Sequence, residues 1–179
     1  MGLKSAPVGA VPVIERVDGA QFSRMLIGLK DRPKEILVNN NCPVEIMCDF
    51  MKRESIIFVE SEIQLLVASL QQSHLQAQVQ EPPLEASIEP EALLLEKFRS
   101  IQADLYSDTT IFEFQNLVTG TAVNFSKNTM KLGTDPDMFS GGVPYAFGKD
   151  EQGVFNPFLF DDPNKPAEAP VAEAVGKKK

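Results

Sequence analysis

No run in this 179-residue chain reaches the ~18 consecutive apolar residues that a membrane-spanning helix needs. The opening MGLKSA lacks the apolar core of a signal peptide and puts Ala6 where a myristoylation site has Ser or Thr, so an intracellular, unlipidated chain is expected. Histidine is almost absent. His74 is the only one, and it sits in a Gln/Ser-rich stretch with no acid placed to orient it as a general base, so it is expected to face solvent. Cysteine is limited to Cys42 and Cys48, a number that fits a reducing compartment. A disulfide between them would distort the helix expected there, and both read as small buried side chains. With His74 they would supply three zinc ligands, but a fourth is missing and the short ligand spacing is absent. In a reducing compartment the acceptor-like triplet Asn124-Phe125-Ser126 has no glycosylation meaning.

Basic patches are scarce too. The formal charge is −8, and residues 81–115 hold eight acidic side chains against two basic ones. Only Lys177 to Lys179 form a basic run, which reads as a solvated end. Neutralising phosphate takes a basic stripe, so nucleic acid is a poor partner. There is no Walker loop and no dinucleotide fingerprint; Gly141-Gly142 lacks the following Lys and Ser/Thr of a phosphate cradle and reads as a turn. No catalytic, cofactor-binding or metal-binding residue is assigned, and an enzyme is not expected.

What is present begins with LVNNNCPVEIMCDFMKRE, residues 37–54. Pro43 suits a first helical turn, because its missing donor costs nothing there and its φ already fits. Asn41 or Cys42 is then the expected cap, with Glu45 reaching back if Cys42 fills that role. Val44, Met47, Cys48 and Met51 follow the spacing of one buried helix face, with Ile46 and Phe50 beside them, leaving Glu45, Asp49, Lys52 and Arg53 for water. Upstream, Met25 to Leu29 and Glu35 to Val38 are short apolar runs split by Lys30-Asp31-Arg32-Pro33-Lys34, the pattern of a hairpin. A hairpin followed by a helix opens ubiquitin-like folds and many other α+β folds.

Residues 37–54 also resemble the N-terminal region of small open-reading-frame proteins of ciliated and flagellated cells. The shared pattern is a hydrophobic strand ending in Asn, an Asn-Cys pair, then an apolar helix closing on a basic pair. Here those residues are Leu37, Asn39, Asn41, Cys42, Val44, Phe50, Lys52 and Arg53. The resemblance implies a ubiquitin-like module in a cilium-associated protein without enzymatic activity. It also implies a strand over Ile63 to Val67, and the sequence departs from the family's pattern after Glu54.

Downstream, Ile56 to Val59 reads as a strand. Ile63, Leu66, Val67 and Leu70 repeat at helical spacing behind a Ser61 cap, favouring a helix over 61–80. Glu81-Pro82-Pro83 is a break, after which Pro90 opens a helix whose Leu94, Phe98, Ile101 and Leu105 share a face. Residues 110–118 and 121–125, split at Thr119-Gly120, read as a second hairpin.

From Gly133 the chain changes character: 47 residues hold six Pro, six Gly and five Phe. Such a segment cannot close a core of its own, yet it carries more aromatic surface than a linker needs. Phe139, Phe147 and Phe155 recur every eight residues, an even spacing that aligns them if the segment is extended. Some rings folding back on the body is one reading. The other is an arm whose Phe139, Tyr145, Phe147, Phe155, Phe158 and Phe160 enter pockets of a partner.

The expected organisation is an N-terminal extension (1–22), an α+β body (23–131), and an extended Pro/Gly/Phe-rich interaction arm with a mobile tail (132–179). The expected function is a non-enzymatic structural protein of a large cytoskeletal assembly. The resemblance points to the ciliary or flagellar axoneme, with tubulin or other axonemal proteins as partners and neither nucleic acid nor membrane. A soluble ubiquitin-like adaptor of cytoplasmic signalling or trafficking is the alternative, and a small enzyme with an unrecognised site the third.

Overall fold

Alternation of apolar and polar residues builds the first two strands. A computed structural model describes residues 22–77, 88–123, 127, 130–135 and 137–163 of the chain. In β1 (Phe22–Leu29) the side chains of Met25, Ile27 and Leu29 are buried, while Arg24 faces out. In β2 (Pro33–Asn39) Ile36 and Val38 are buried, and Glu35 and Leu37 face out. The two pair antiparallel, with Met25 opposite Ile36 and Arg24 opposite Leu37. Pro33 starts an edge strand, where its missing N–H breaks no ladder bond. The expected hairpin is therefore present, with a tighter loop and with Phe22 inside β1.

The expected helix face also stands. In α1 (Val44–Ala77) Val44, Met47 and Met51 are fully buried and Cys48 nearly so. Three details differ. Pro43, not Asn41 or Cys42, precedes the helix, its carbonyl accepting from Met47 N–H at 3.1 Å. The orphan N–H of Val44 is satisfied at 2.9 Å by the carbonyl of Lys131, far along the chain. Lys52 is half-buried, its ammonium 5.3 Å from the centre of the Phe112 ring.

The helix is also longer than expected. Ile56 to Val59 is not a strand, Ser61 is not a cap, and Ile63 to Val67 is helical: α1 runs unbroken for 34 residues. β-branched side chains at 56, 57 and 59 suit a strand locally, but Ser55 and Val59 are buried while Ile57 is exposed, the four-residue recurrence of a helix packed on one side. α2 (Ile88–Tyr106) lies against α1 and buries Leu94, Phe98, Ile101 and Leu105, as their spacing predicts. Phe98 meets Phe58 of α1 edge-on at 6.1 Å. The Tyr106 hydroxyl donates to Glu60 at 2.6 Å, and Ser69 donates to Glu91 at 3.2 Å.

β3 (Ile111–Asn116) keeps the start of the expected hairpin: Gln115 bridges Ala122 antiparallel, and the N–H groups of Asn116 and Val123 donate to the carbonyls of Thr121 and Phe114 at 2.9 Å each, while 124–126 lie outside the described residues. The main partner of β3 is β4 (Pro144–Glu151), antiparallel, with Phe114 opposite Phe147. On its other edge β4 runs parallel to β1, with Met25 opposite Tyr145, and then pairs with β5 (Val154–Pro157). β6 (Leu159–Phe160) returns beside the end of β1. The sheet order is β2-β1-β4-β3, with α1 and α2 between the hairpin and β3 in the chain, an α+β arrangement of six strands and two helices among the described residues.

Two glycines allow the close approaches this layout needs. A Cβ on Gly148 would lie 2.7 Å from Pro157 Cα, within backbone contact of β5. One on Gly133 would lie 2.6 Å from Met47 Sδ and 3.0 Å from the Asn40 carbonyl, where the loop before β4 runs under the start of α1.

The expectation of an arm over 132–179 is corrected by this sheet. Residues 144–160 supply β4, β5 and β6, and Gly133 N–H donates to the Cys42 carbonyl at 3.1 Å, so the fold runs through this segment. The reason is hydrophobic closure: without β4, the inward faces of β1 and β3 would have no strand between them. Residues 1–21 and 164–179, which hold the rest of the expected extension and the mobile tail, lie outside the described residues.

Candidate interaction surfaces

Four of the six aromatic residues expected at a partner interface are assembled, but into the core. Tyr145 and Phe147 alternate inward along β4, and both are almost completely buried, as are Phe139 and Phe158. The Phe147 ring stacks on Phe112 at 5.5 Å and meets Phe114 at 5.2 Å and Phe158 at 5.7 Å. Phe139 meets Phe114 at 5.3 Å and Tyr145 at 5.0 Å, both edge-on. The buried Tyr145 hydroxyl accepts from Ser140 N–H at 2.7 Å, which lets a phenol occupy the core without an unsatisfied group. These four rings therefore cannot enter a partner's pockets while the body is folded. Phe155 and Phe160 are half-buried. Phe160 is held edge-on against Phe98 at 5.4 Å, with the Lys97 ammonium 5.7 Å from its centre. It borders an open trough of about 640 Å³ with Leu93, Glu96, Lys97, Asp161 and Pro163.

Polar groups within the body are arranged as ties between elements. The Lys149 ammonium donates to Asp104 at 2.9 Å and pairs with Glu151 at 2.7 Å, fastening β4 to α2. The hydrogen bonds it donates to Glu151 and then Asp104 raise its pKa, so Lys149 is a fixed cation and a poor nucleophile or base. On the outer sheet face Arg24 grips Glu35 with two bonds of 3.0 and 2.7 Å. Hydrogen bonding between the two raises the Arg24 pKa and lowers that of Glu35. Among the described residues no group of three His, Cys, Asp or Glu side chains is placed to hold a metal ion, and His74 is exposed near the end of α1.

Burial also sets the cysteine chemistry. Desolvation raises the Cys42 thiol and pushes Cys48 up to about 12 from an ordinary 9.0. A thiol-reactive probe at pH 8 is therefore expected to label Cys42 slowly and Cys48 only after unfolding, as mass spectrometry of the two peptides would read. Native Cys48 keeps its proton above the pH at which the unfolded thiol loses it, so the unfolded state binds fewer protons there. This group's contribution to stability is intact below pH 9 and is lost as pH rises toward 12. Labelling of native Cys48 as fast as Cys42 would contradict its placement.

What remains for recognition is the outer surface of the body. Leu37 stands 59% exposed beside the Arg24–Glu35 pair. A longer feature runs along the side of α1 turned away from α2, where Ile57, Leu65 and Leu75 are 57%, 63% and 66% exposed. Between Ser61 and Ala77 this helix carries a single formal charge, Glu62, whereas the exposed side of α2 has Glu96, Lys97 and Arg99 within four residues. The inward repeat of Ile63, Leu66 and Leu70 is legible in the sequence; the absence of charge on the opposite side is the signal that reveals this second surface. No protein-family model, curated protein or solved structure matches the chain.

Proposed function

We propose that this chain is a non-enzymatic protein-interaction module with a ubiquitin-like body, working inside a larger assembly and docking through the surface of that body. The observation that carries the reading is the path of the sheet: a hairpin, a helix packed across it, and a late strand returning parallel beside the first. The second helix, α2, and the extended length of α1 are additions to such a module. With Phe139, Tyr145, Phe147 and Phe158 occupied in the core, binding falls to exposed side chains such as Leu37, Leu65 and Leu75.

The resemblance of residues 37–54 suggests the assembly, the ciliary or flagellar axoneme, with tubulin or another axonemal protein as neighbour. A full-length tagged chain expressed in ciliated cells should then stay with axonemes after detergent extraction of the membrane and matrix. Complete release into the detergent-soluble fraction would remove the axonemal reading. A second reading, the soluble cytoplasmic adaptor, gains from one observation: an adaptor needs only a face of the body, and residues 144–160 are strands of that body.

A further inference from the structure

The outward side of α1 has a spacing that its packing against α2 does not explain. Ile57, Ser61, Gln64, Ala68, Gln71 and Leu75 follow one another at intervals of 4, 3, 4, 3 and 4 residues. That is the 3.5-residue spacing of a helix–helix seam, here with apolar side chains at Ile57, Ala68 and Leu75 and uncharged polar ones at Ser61, Gln64 and Gln71. All six are exposed and none is charged. A solvated helix face in a chain of net charge −8 would ordinarily carry acidic and basic side chains, as the exposed side of α2 does.

We infer that this seam binds a second copy of the same chain, as an antiparallel helix pair about a two-fold axis at the level of Leu66. Self-complementarity selects the occupant. In that arrangement Ile57 lies opposite the partner's Leu75, Ser61 opposite the partner's Gln71, and Gln64 opposite the partner's Ala68. Each layer joins two apolar side chains or sets a long amide beside a small residue. Related by the two-fold axis, every layer occurs twice, which makes the contact closed and isologous. A parallel pair would set Gln64 and Gln71 against their own copies and Ser61 and Ala68 against theirs, leaving crowded and empty layers in alternation. Charge points the same way: a neutral seam meets its own copy without like-charge repulsion and offers nothing to a charged partner. The seam is about 27 Å long at 1.5 Å per residue, which places the interface at the small end of the size range for specific dimers. The pairing does not depend on which assembly the protein joins.

Sedimentation equilibrium of the full chain, from about 10 to 500 µM, is expected to show a reversible monomer–dimer equilibrium. Ala68→Glu puts two carboxylates roughly 6 Å apart along the axis on either side of the two-fold, and is expected to weaken the dimer at least about 10-fold with an unchanged melting curve for the monomer. Orientation is read separately. In the double variant Ile57→Cys/Leu75→Cys the two new thiols of one chain are about 27 Å apart along α1, too far to join within it. Mild oxidation should give a covalent dimer in which position 57 of one chain is linked to position 75 of the other, absent from the wild type. A monomer at every concentration, a dimer unaffected by Ala68→Glu, or cross-links joining position 57 to position 57 would each overturn the proposal. So would a monomeric wild type whose melting temperature falls on Ala68→Glu, since a segment of its own chain would then cover the seam.

Discussion

A chain ended after Lys131 is expected to lose cooperative folding altogether. The cut removes β4, which pairs with β1 on one edge and β3 on the other, so the hairpin and β3 are left as separate pieces with no common sheet. It also removes Phe139, Tyr145, Phe147 and Phe158, which belong to the same buried cluster as Met47 and Met51 of α1. Two short antiparallel strands are marginal alone in water, and the α1–α2 pair would expose Met47, Met51 and Leu105. The truncated protein should show residual helix by far-ultraviolet circular dichroism, a shallow thermal profile and poorly dispersed amide resonances, set against a sharp transition for the full chain. A sharp transition in the truncated form would instead place an autonomous body within residues 22–131. Truncation here does not separate an arm-dependent binder from an adaptor, because it removes the fold along with the arm.

Phe147→Ala is expected to destabilise the full-length protein by about 3 to 5 kcal/mol, the cost of a large buried ring replaced by a cavity that its neighbours only partly fill. The ring is completely buried and touches Phe112, Phe114 and Phe158, which are themselves anchored on β3 and in the link between β5 and β6. Phe155→Ala, at a half-buried position on β5, is the control and should cost about 1 kcal/mol. Chemical denaturation at equilibrium reads both, as a lower midpoint with an unchanged slope. If the two variants shifted the midpoint equally, Phe147 would not be the centre of the aromatic cluster. Phe139, Phe147 and Phe155 recur at an even spacing in the sequence, yet their expected costs differ because burial, not periodicity, sets the energy.

Local pattern was enough where a single element decides its own face. The inward residues of α1 and α2 follow from the 3.6-residue period, and β1 and β2 from alternation across a short polar turn, because each needs only neighbours within a few residues. The presence of an amphipathic helix after a hairpin was legible for the same reason. The cap of α1 was not: its first N–H is answered by Lys131, a carbonyl brought there by the loop before β4. Nor was the continuation of α1 through Ile56 to Val59, since β-branched residues favour strands until packing against α2 and the sheet outweighs that preference.

The largest difference lies in residues 133–160, where Pro and Gly read as the punctuation of a linker. In the fold those residues take positions set by distant partners: Pro144 opens β4, Pro157 ends β5, and Gly148 leaves room for the β5 backbone. Parallel pairing of Arg24–Leu26 with Pro144–Ala146 joins segments roughly 120 residues apart, and no local period carries that information. Residue order alone was sufficient for the helices' buried faces, the opening hairpin and the acidic, motif-poor character of the chain. Long-range pairing was needed to make Phe139, Tyr145, Phe147 and Phe158 core and not interface, because β1 and β3 need a strand between them and β4 is the one that fits.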